Sequence, residues 1–415
     1  MRPPRSSWPP SPSCSKIFGV RRRRPSAGTR PSTIRKRPAV LKPKVQPGKR
    51  VAVLGAGSWG TTFAKILADG GADVVLWARR PELAREITEA RRNSDYLPGI
   101  NLPEGLRATA RLDLALAGAE QVFVSVPSQS LRENLILAEP FLAPGAIVVS
   151  LMKGVERGSG LRMSQIIAEI LPINPDLIAA ISGPNLALEI AKEQPTAAVV
   201  SSNSLETAQA VAMLARNRYF RSYVNTDVIG TEFGGVLKNL IAVAIGIVDG
   251  VGYGENTKAS IITRGLVEMT DFAVAYGAHP ETLAGLAGLG DLIATCQSPL
   301  SRNNTAGRLL GQGYGINDVV KQMQQTTEGL ASVGPILDLA RAKGVDMPIV
   351  EQVRQVLAGT LKPRDLAPHL TTDSAEPQGE RTIDDEQAHG GAALWGSVKR
   401  TFDQLRHSGR RPGGD

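Results

Sequence analysis

VAVLGAGSWGTTFAKILADGGADVVLWARR, residues 51–80, begins as a short β-branched apolar run, turns on glycine, continues as a helix and returns as a second apolar run. Strand, glycine turn, helix and strand in that order are the opening of a dinucleotide-binding unit. Gly55 permits the tight turn and Gly57 lets the backbone approach a pyrophosphate. Gly60 allows close helix packing, and the helix N–H groups face the phosphates. An acid at the end of the second strand would hold a ribose 2′-hydroxyl. Here Asp73 precedes that strand and Ala78-Arg79-Arg80 follows it. Two guanidiniums suit a 2′-phosphate, which favours acceptance of NADPH; the competing reading is a pair of solvated loop charges.

Further apolar strands are predicted at Gln121–Val126, Ala146–Leu151, Leu177–Ile181, Ala197–Ser201 and Phe220–Val224. Ligands of such sheets sit at the carboxyl ends of the strands, which is where Ser125, Pro127 and Lys153 fall. Ser182-Gly183-Pro184-Asn185 is another strand-end loop, or an ordinary Gly-Pro turn. After Asp227 the pattern turns helical, with long stretches at 231–249, 257–276 and 332–343. The expected fold class is α/β. A Rossmann-type domain over 49–228 precedes an all-α domain over 229–368, between a basic extension (1–48) and a polar tail (369–415) that are both expected to be disordered.

The formal charge of +9 is a property of one end. Residues 1–50 hold 15 of the 48 Lys and Arg and no acid, which leaves the rest with 33 basic and 39 acidic residues, a net −6. A mildly acidic body excludes nucleic acid as its partner. The extension has the acid-free composition of an organellar transit peptide without a convincing amphipathic helix, and an upstream mis-assigned start reads equally well. Its weaker functional reading is a tail that touches membrane or nucleic acid. No run is long and apolar enough to cross a bilayer. Cys14 and Cys296 are too few for a disulfide framework and fit a reducing, cytoplasmic setting. The four histidines show no metal-ligand spacing, so no metal is expected and Lys, Asp or Glu must handle protons.

Lys238 stands in GTEFGGVLKNLIAVAIGIVDG, residues 230–250, a segment otherwise built for burial. A buried ammonium needs a partner or a lowered pKa, and both favour chemistry; the bland alternative pairs it with Glu232 or lets it snorkel. Gly288-Leu289-Gly290-Asp291 adds an acid, and Ser301-Arg302-Asn303-Asn304 clusters donors suited to a phosphate ester, or else caps a helix.

GAGSWG, SVPS, SLMKG, SGPNLALE, VLKN, NTKASIITRGLVEM, GLAGLGDLIATCQSPLSRN and TTEG follow one another from residue 51 to about residue 360. In these motifs the chain resembles NAD(P)-dependent glycerol-3-phosphate dehydrogenase of the bacterial type. The resemblance implies an N-terminal Rossmann domain and a C-terminal domain like that of 6-phosphogluconate dehydrogenase. It also implies reversible hydride transfer between sn-glycerol 3-phosphate and NAD(P)+, giving dihydroxyacetone phosphate and supplying glycerol 3-phosphate for phospholipid synthesis. It makes Lys238 the proton acceptor and Lys153 a contact to both cofactor (NADPH or NADH) and substrate. Gly183, Asn185, Asp291, Ser301, Arg302 and Asn303 become substrate residues. Gly55, Gly57, Ser58, Trp59, Gly60, Arg79, Arg80, Ala187, Arg302, Thr326 and Glu328 become cofactor residues. A homodimer is compatible with this reading. Asn185 and Thr231 depart from the family, where Thr or Ser and Cys are common, and the tails have no counterpart in its pattern. A ketopantoate or β-hydroxyacid dehydrogenase would share the layout, but neither substrate needs the Ser-Arg-Asn cluster. A catalytically silent NADPH sensor would carry a broken Lys238 or Asp291 motif.

Overall fold

The structure, a computed structural model, describes residues 49–323 and 327–366; the expectations for both ends of the chain, and for Thr326, fall outside them. Arg50–Leu54 (β1), Asp73–Trp77 (β2), Leu106–Thr109 (β3), Gln121–Val124 (β4), Ile147–Ser150 (β5), Ile178–Ser182 (β6), Thr196–Ser202 (β7) and Phe220–Asn225 (β8) form one sheet. Its order is β3-β2-β1-β4-β5-β6-β7-β8, and every neighbouring pair is parallel except β6 and β7. Along β1, Val51 and Val53 pack with Phe63 and Ile66 on one face, while Ala52 and Leu54 pack with Val122 and Leu131 on the other. Burial on both faces explains why the strand reads as an uninterrupted apolar run. From β1 the chain winds outward to β3 and then crosses back to β4. That reversal opens a crevice at the carboxyl ends of β1 and β4.

Two details differ from the sequence reading. Asp73 is the first residue of β2 rather than its predecessor, and it forms an ion pair with Arg107 on β3. Strand β3 itself went unread because only Leu106 and Ala108 give it apolar alternation, on a half-exposed edge.

Among the described residues, only helices follow β8. Asp227 starts the first of them, Val228–Val251, by accepting the Gly230 N–H at 2.8 Å, and Gly252 (φ 96°) ends it in a left-handed cap. This helix has a mean hydropathy of 1.6 over its most apolar 18 residues. It therefore meets the length and composition of a membrane span, contrary to the sequence expectation. Yet 83% of that window is buried inside the protein, as in a core helix.

Four glycines explain how another helix, Arg302–Gly311, lies against it. A Cβ on Gly246 would sit 2.1 Å from the Asn304 carbonyl oxygen, and one on Gly250 would sit 2.3 Å from that of Arg308. Reciprocally, a Cβ on Gly307 or Gly311 would lie 2.2 Å from the carbonyls of Val243 or Ile247. The two backbones touch, which fixes the start of the second helix relative to Lys238. Gly246→Ala is expected to cost about 1–3 kcal/mol of stability through overpacking. Gly105→Ala, whose Cβ would meet only the Ala72 carbonyl oxygen at 4.0 Å, is expected to change stability by less than about 0.5 kcal/mol. Urea denaturation midpoints of the two variants check this, and equal midpoints would contradict it.

Candidate active site

The glycine turn after β1 leads into helix α1, Ser58–Asp69. Gly55 has φ 109°, and a Cβ there would lie 2.3 Å from the Ser125 carbonyl oxygen; one on Gly60 would lie 1.9 Å from the carbonyl of Gly55. Gly57 is different, with nothing within 4 Å of its Cβ position and no side chain capping the helix it precedes. The turn thus offers uncapped N–H groups to open space, the arrangement that receives a pyrophosphate. A loop from the second half of the unit is stitched to this turn. Buried Asn93 donates to the Ala56 carbonyl (2.9 Å) and to Thr61 Oγ1 (2.7 Å), and Ser58 Oγ donates to the Tyr96 carbonyl (2.8 Å).

The turn forms one end of a cleft of about 1360 Å³. At its floor, Lys238 lies on the buried helix Val228–Val251 with its side chain 9% exposed. Its Nζ donates to Thr295 Oγ1 at 2.6 Å and lies 3.0 Å from Asp291 Oδ1. Lys153, just beyond β5, places Nζ 2.5 Å from Asp291 Oδ2 and 3.0 Å from the Gly183 carbonyl. Two ammonium groups therefore share one carboxylate. Burial pushes the Lys238 pKa down to about 8; Asp291 opposes the shift and the charge of Lys153 adds to it. Glu232 does not pair with Lys238 as the bland sequence reading had it. It accepts from Arg162 Nη1 (2.5 Å) and from the Ser164 N–H (2.8 Å), joining the long helix to Met163–Ile170. Cys296 is no rival nucleophile, because burial raises its thiol to about 12.

The opposite wall carries Ser301, Arg302 and Asn303 at the start of the helix Arg302–Gly311. Ser301 caps that helix through the Asn304 N–H (3.2 Å), so the capping reading and the donor cluster are both realised. Asn303 Oδ1 accepts the Gly329 N–H at 3.0 Å. Neighbouring Glu328 reaches across to the loop after β4, taking the Ser128 hydroxyl at 2.5 Å. Asn185 lines the cleft with both amide atoms buried and unpartnered among the described residues. Buried orphans of this kind call for a ligand or water.

Sequence models described as NAD-dependent glycerol-3-phosphate dehydrogenase N-terminus and C-terminus match residues 50–208 and 227–368. The chain belongs to the NAD-dependent glycerol-3-phosphate dehydrogenase family. It is 76% identical over 362 residues to glycerol-3-phosphate dehydrogenase [NAD(P)+] of Leifsonia xyli, covering 86% of this chain and 98% of that one. The homologue from Thermobifida fusca is 52% identical over 79% of this chain and 98% of its own. The crystal structure of glycerol-3-phosphate dehydrogenase from Coxiella burnetii superposes with a TM-score of 0.75 at 35% identity, covering 79% of this chain and 99% of that one. The family models end with the body of the chain, as the sequence reading had it, although the Leifsonia match, at 86% of the chain, runs some way beyond residues 49–366.

Within this glycerol-3-phosphate dehydrogenase fold, the cleft lining includes Gly55, Gly57, Ser58, Trp59, Arg79, Arg80, Lys153, Asn185, Ala187, Lys238, Ser301, Arg302, Asn303 and Glu328. Gly60 sits behind the turn, Gly183 contributes its carbonyl to Lys153, and Asp291 lies beneath both lysines. Sequence reasoning missed Thr295, whose hydroxyl also donates to Asp291 Oδ1 at 3.2 Å. Its spacing of one helical turn from Asp291 was the available signal. It also missed Asn239, which lines the cleft and donates to the Gly235 carbonyl at 3.2 Å, the Asn93 anchor and the bond from Ser128 to Glu328. The open Gly57 turn and the uncapped helix start fit an NAD(P) cofactor lying along the cleft. Gly57→Ala, which meets no protein atom, is expected to keep the melting temperature while weakening NADH and NADPH binding at least about tenfold. Fluorescence titration checks this, and unchanged affinity would contradict the placement of the pyrophosphate.

Proposed function

We propose that the chain interconverts sn-glycerol 3-phosphate and dihydroxyacetone phosphate with NAD(P), and that Lys238 holds the proton exchanged at the C2 oxygen. The observation that carries this reading is a buried lysine on the floor of the cleft, bonded to Thr295 and paired with Asp291, where burial pushes its pKa down to about 8. When bound, NAD(P) supplies the hydride acceptor or donor.

In the oxidising direction, neutral Lys238 accepts the C2 hydroxyl proton, and the ammonium it becomes is met by Asp291 at 3.0 Å. In the reducing direction, the ammonium form donates to the carbonyl oxygen. Thr295 and Asp291, one turn apart on the same helix, both hold Nζ and keep it from swinging out of register. Lys153 adds a positive charge that attracts the anionic substrate and keeps the pKa of Lys238 low. Ser301, Arg302 and Asn303, at a helix N-terminus, suit the phosphate ester, and the unpaired amide of Asn185 is placed to bind substrate hydroxyls. Gly55, Gly57, Ser58, Trp59, Arg79, Ala187 and Glu328 serve the cofactor. The product feeds phospholipid synthesis, and a cytoplasmic setting agrees with the free Cys296.

Lys238→Ala is expected to lower turnover of dihydroxyacetone phosphate about 10²–10⁴-fold while leaving NADH affinity within about threefold. Stopped assays of NADH and NADPH oxidation, paired with cofactor titrations, check this. A variant retaining a tenth of normal turnover would remove Lys238 from the proton step.

A further inference from the structure

At the end of β2, Arg80 is not left to the solvent. Its Nη2 lies 2.5 Å from Asp95 Oδ2, and its guanidinium stands 5.9 Å from the centre of the Tyr96 ring. Both partners are about half exposed, at 52% and 55%, and Arg80 and Tyr96 line the cleft. Asp95 sits between anchored neighbours. Ser94 N–H and Oγ both donate to Glu86, at 3.0 and 2.6 Å, and the Tyr96 N–H donates to Asn93 Oδ1 at 3.3 Å. Asn93 is in turn fully buried against the glycine turn. The carboxylate is therefore presented by a fixed loop. Arg79 lines the same corner with no ion-pair partner among the described residues.

We propose that Asp95 is a residue that sets cofactor selectivity, holding Arg80 in an ion pair that a ribose 2′-phosphate must open and a 2′-hydroxyl need not. The inference rests on reading Arg79 and Arg80 as the 2′-phosphate side of the cleft. With a 2′-hydroxyl present the pair stays closed and nothing is repelled. A 2′-phosphate exchanges with the carboxylate for the guanidinium and is repelled by the carboxylate it displaces. The corner thus moderates a preference for the phosphorylated cofactor that two uncompensated arginines would make strong.

Calorimetric dissociation constants for adenosine 2′,5′-bisphosphate and adenosine 5′-monophosphate isolate this corner from turnover. Asp95→Asn is expected to raise the preference for the bisphosphate about three- to tenfold at low ionic strength, and by clearly less at about 0.5 M salt. In an Arg80→Ala background the gain is expected to fall by at least half. An unchanged ratio, or equal changes for both ligands, would reduce Asp95 to a loop support and overturn the proposal. If Arg79→Ala and Arg80→Ala also leave the preference for the bisphosphate unchanged, the underlying 2′-phosphate reading falls with it. A selective loss in Arg80→Ala beside an inert Asp95→Asn overturns the role of Asp95 alone.

Discussion

One carboxylate shared by two lysines is the constraint around which the site is arranged. Asp291 meets Lys153 at 2.5 Å and Lys238 at 3.0 Å with its own side chain 2% exposed. With both lysines protonated the cluster carries an excess positive charge in a region short of water. That excess draws in a phosphorylated substrate, and it also makes the proton on Lys238 easier to lose. Burial works in the same direction, and the result is a pKa near 8 rather than the ordinary 10.5. Because the unfolded chain holds that proton more tightly, the group lowers stability at pH values below about 8. The cost is relieved as the pH climbs towards the ordinary lysine range.

Three elements from distant parts of the sequence must meet for the cluster to exist. Lys153 comes from beyond β5, Lys238 from the middle of the buried helix, and Asp291 from the start of Asp291–Gln297. Close backbone approach makes the meeting feasible. A Cβ on Gly235 would lie 2.7 Å from Ser182 Oγ and 3.2 Å from Lys153 Cγ, and one on Gly234 would lie 2.5 Å from the Ala287 carbonyl. At these contacts the helix presents no side chain of its own, and the interlocked glycines further along seat the donor-bearing helix against it. The ion pair from Glu232 to Arg162 ties the same helix to the sheet domain.

The glycine turn, most of the strands and the donor cluster could be read from the sequence because each depends on neighbouring residues. Gly55 and Gly60 make the tight turn and the close packing their spacing implied, and Ser301 both caps a helix and lines the cleft. What could not be read depends on contacts between remote residues. The sequence offered Glu232 as a partner for Lys238, whereas the fold supplies Asp291 and Thr295, more than fifty positions away. It showed no acid at the end of β2, and the fold brings Asp95 to Arg80 along an anchored loop. The buried helix looked too short of apolar residues to span a membrane, yet it qualifies by composition, and only its packing shows where that surface goes.

The pH dependence of kcat/KM for glycerol 3-phosphate oxidation and for dihydroxyacetone phosphate reduction tests the central claim most directly. If Lys238 exchanges the proton, oxidation should rise through an apparent pKa near 8 as the amine is freed, and reduction should fall over the same interval as the ammonium is lost. Profiles that stay flat from about pH 7 to 9, or that move in the same direction for both reactions, would contradict the assignment of the proton to this lysine.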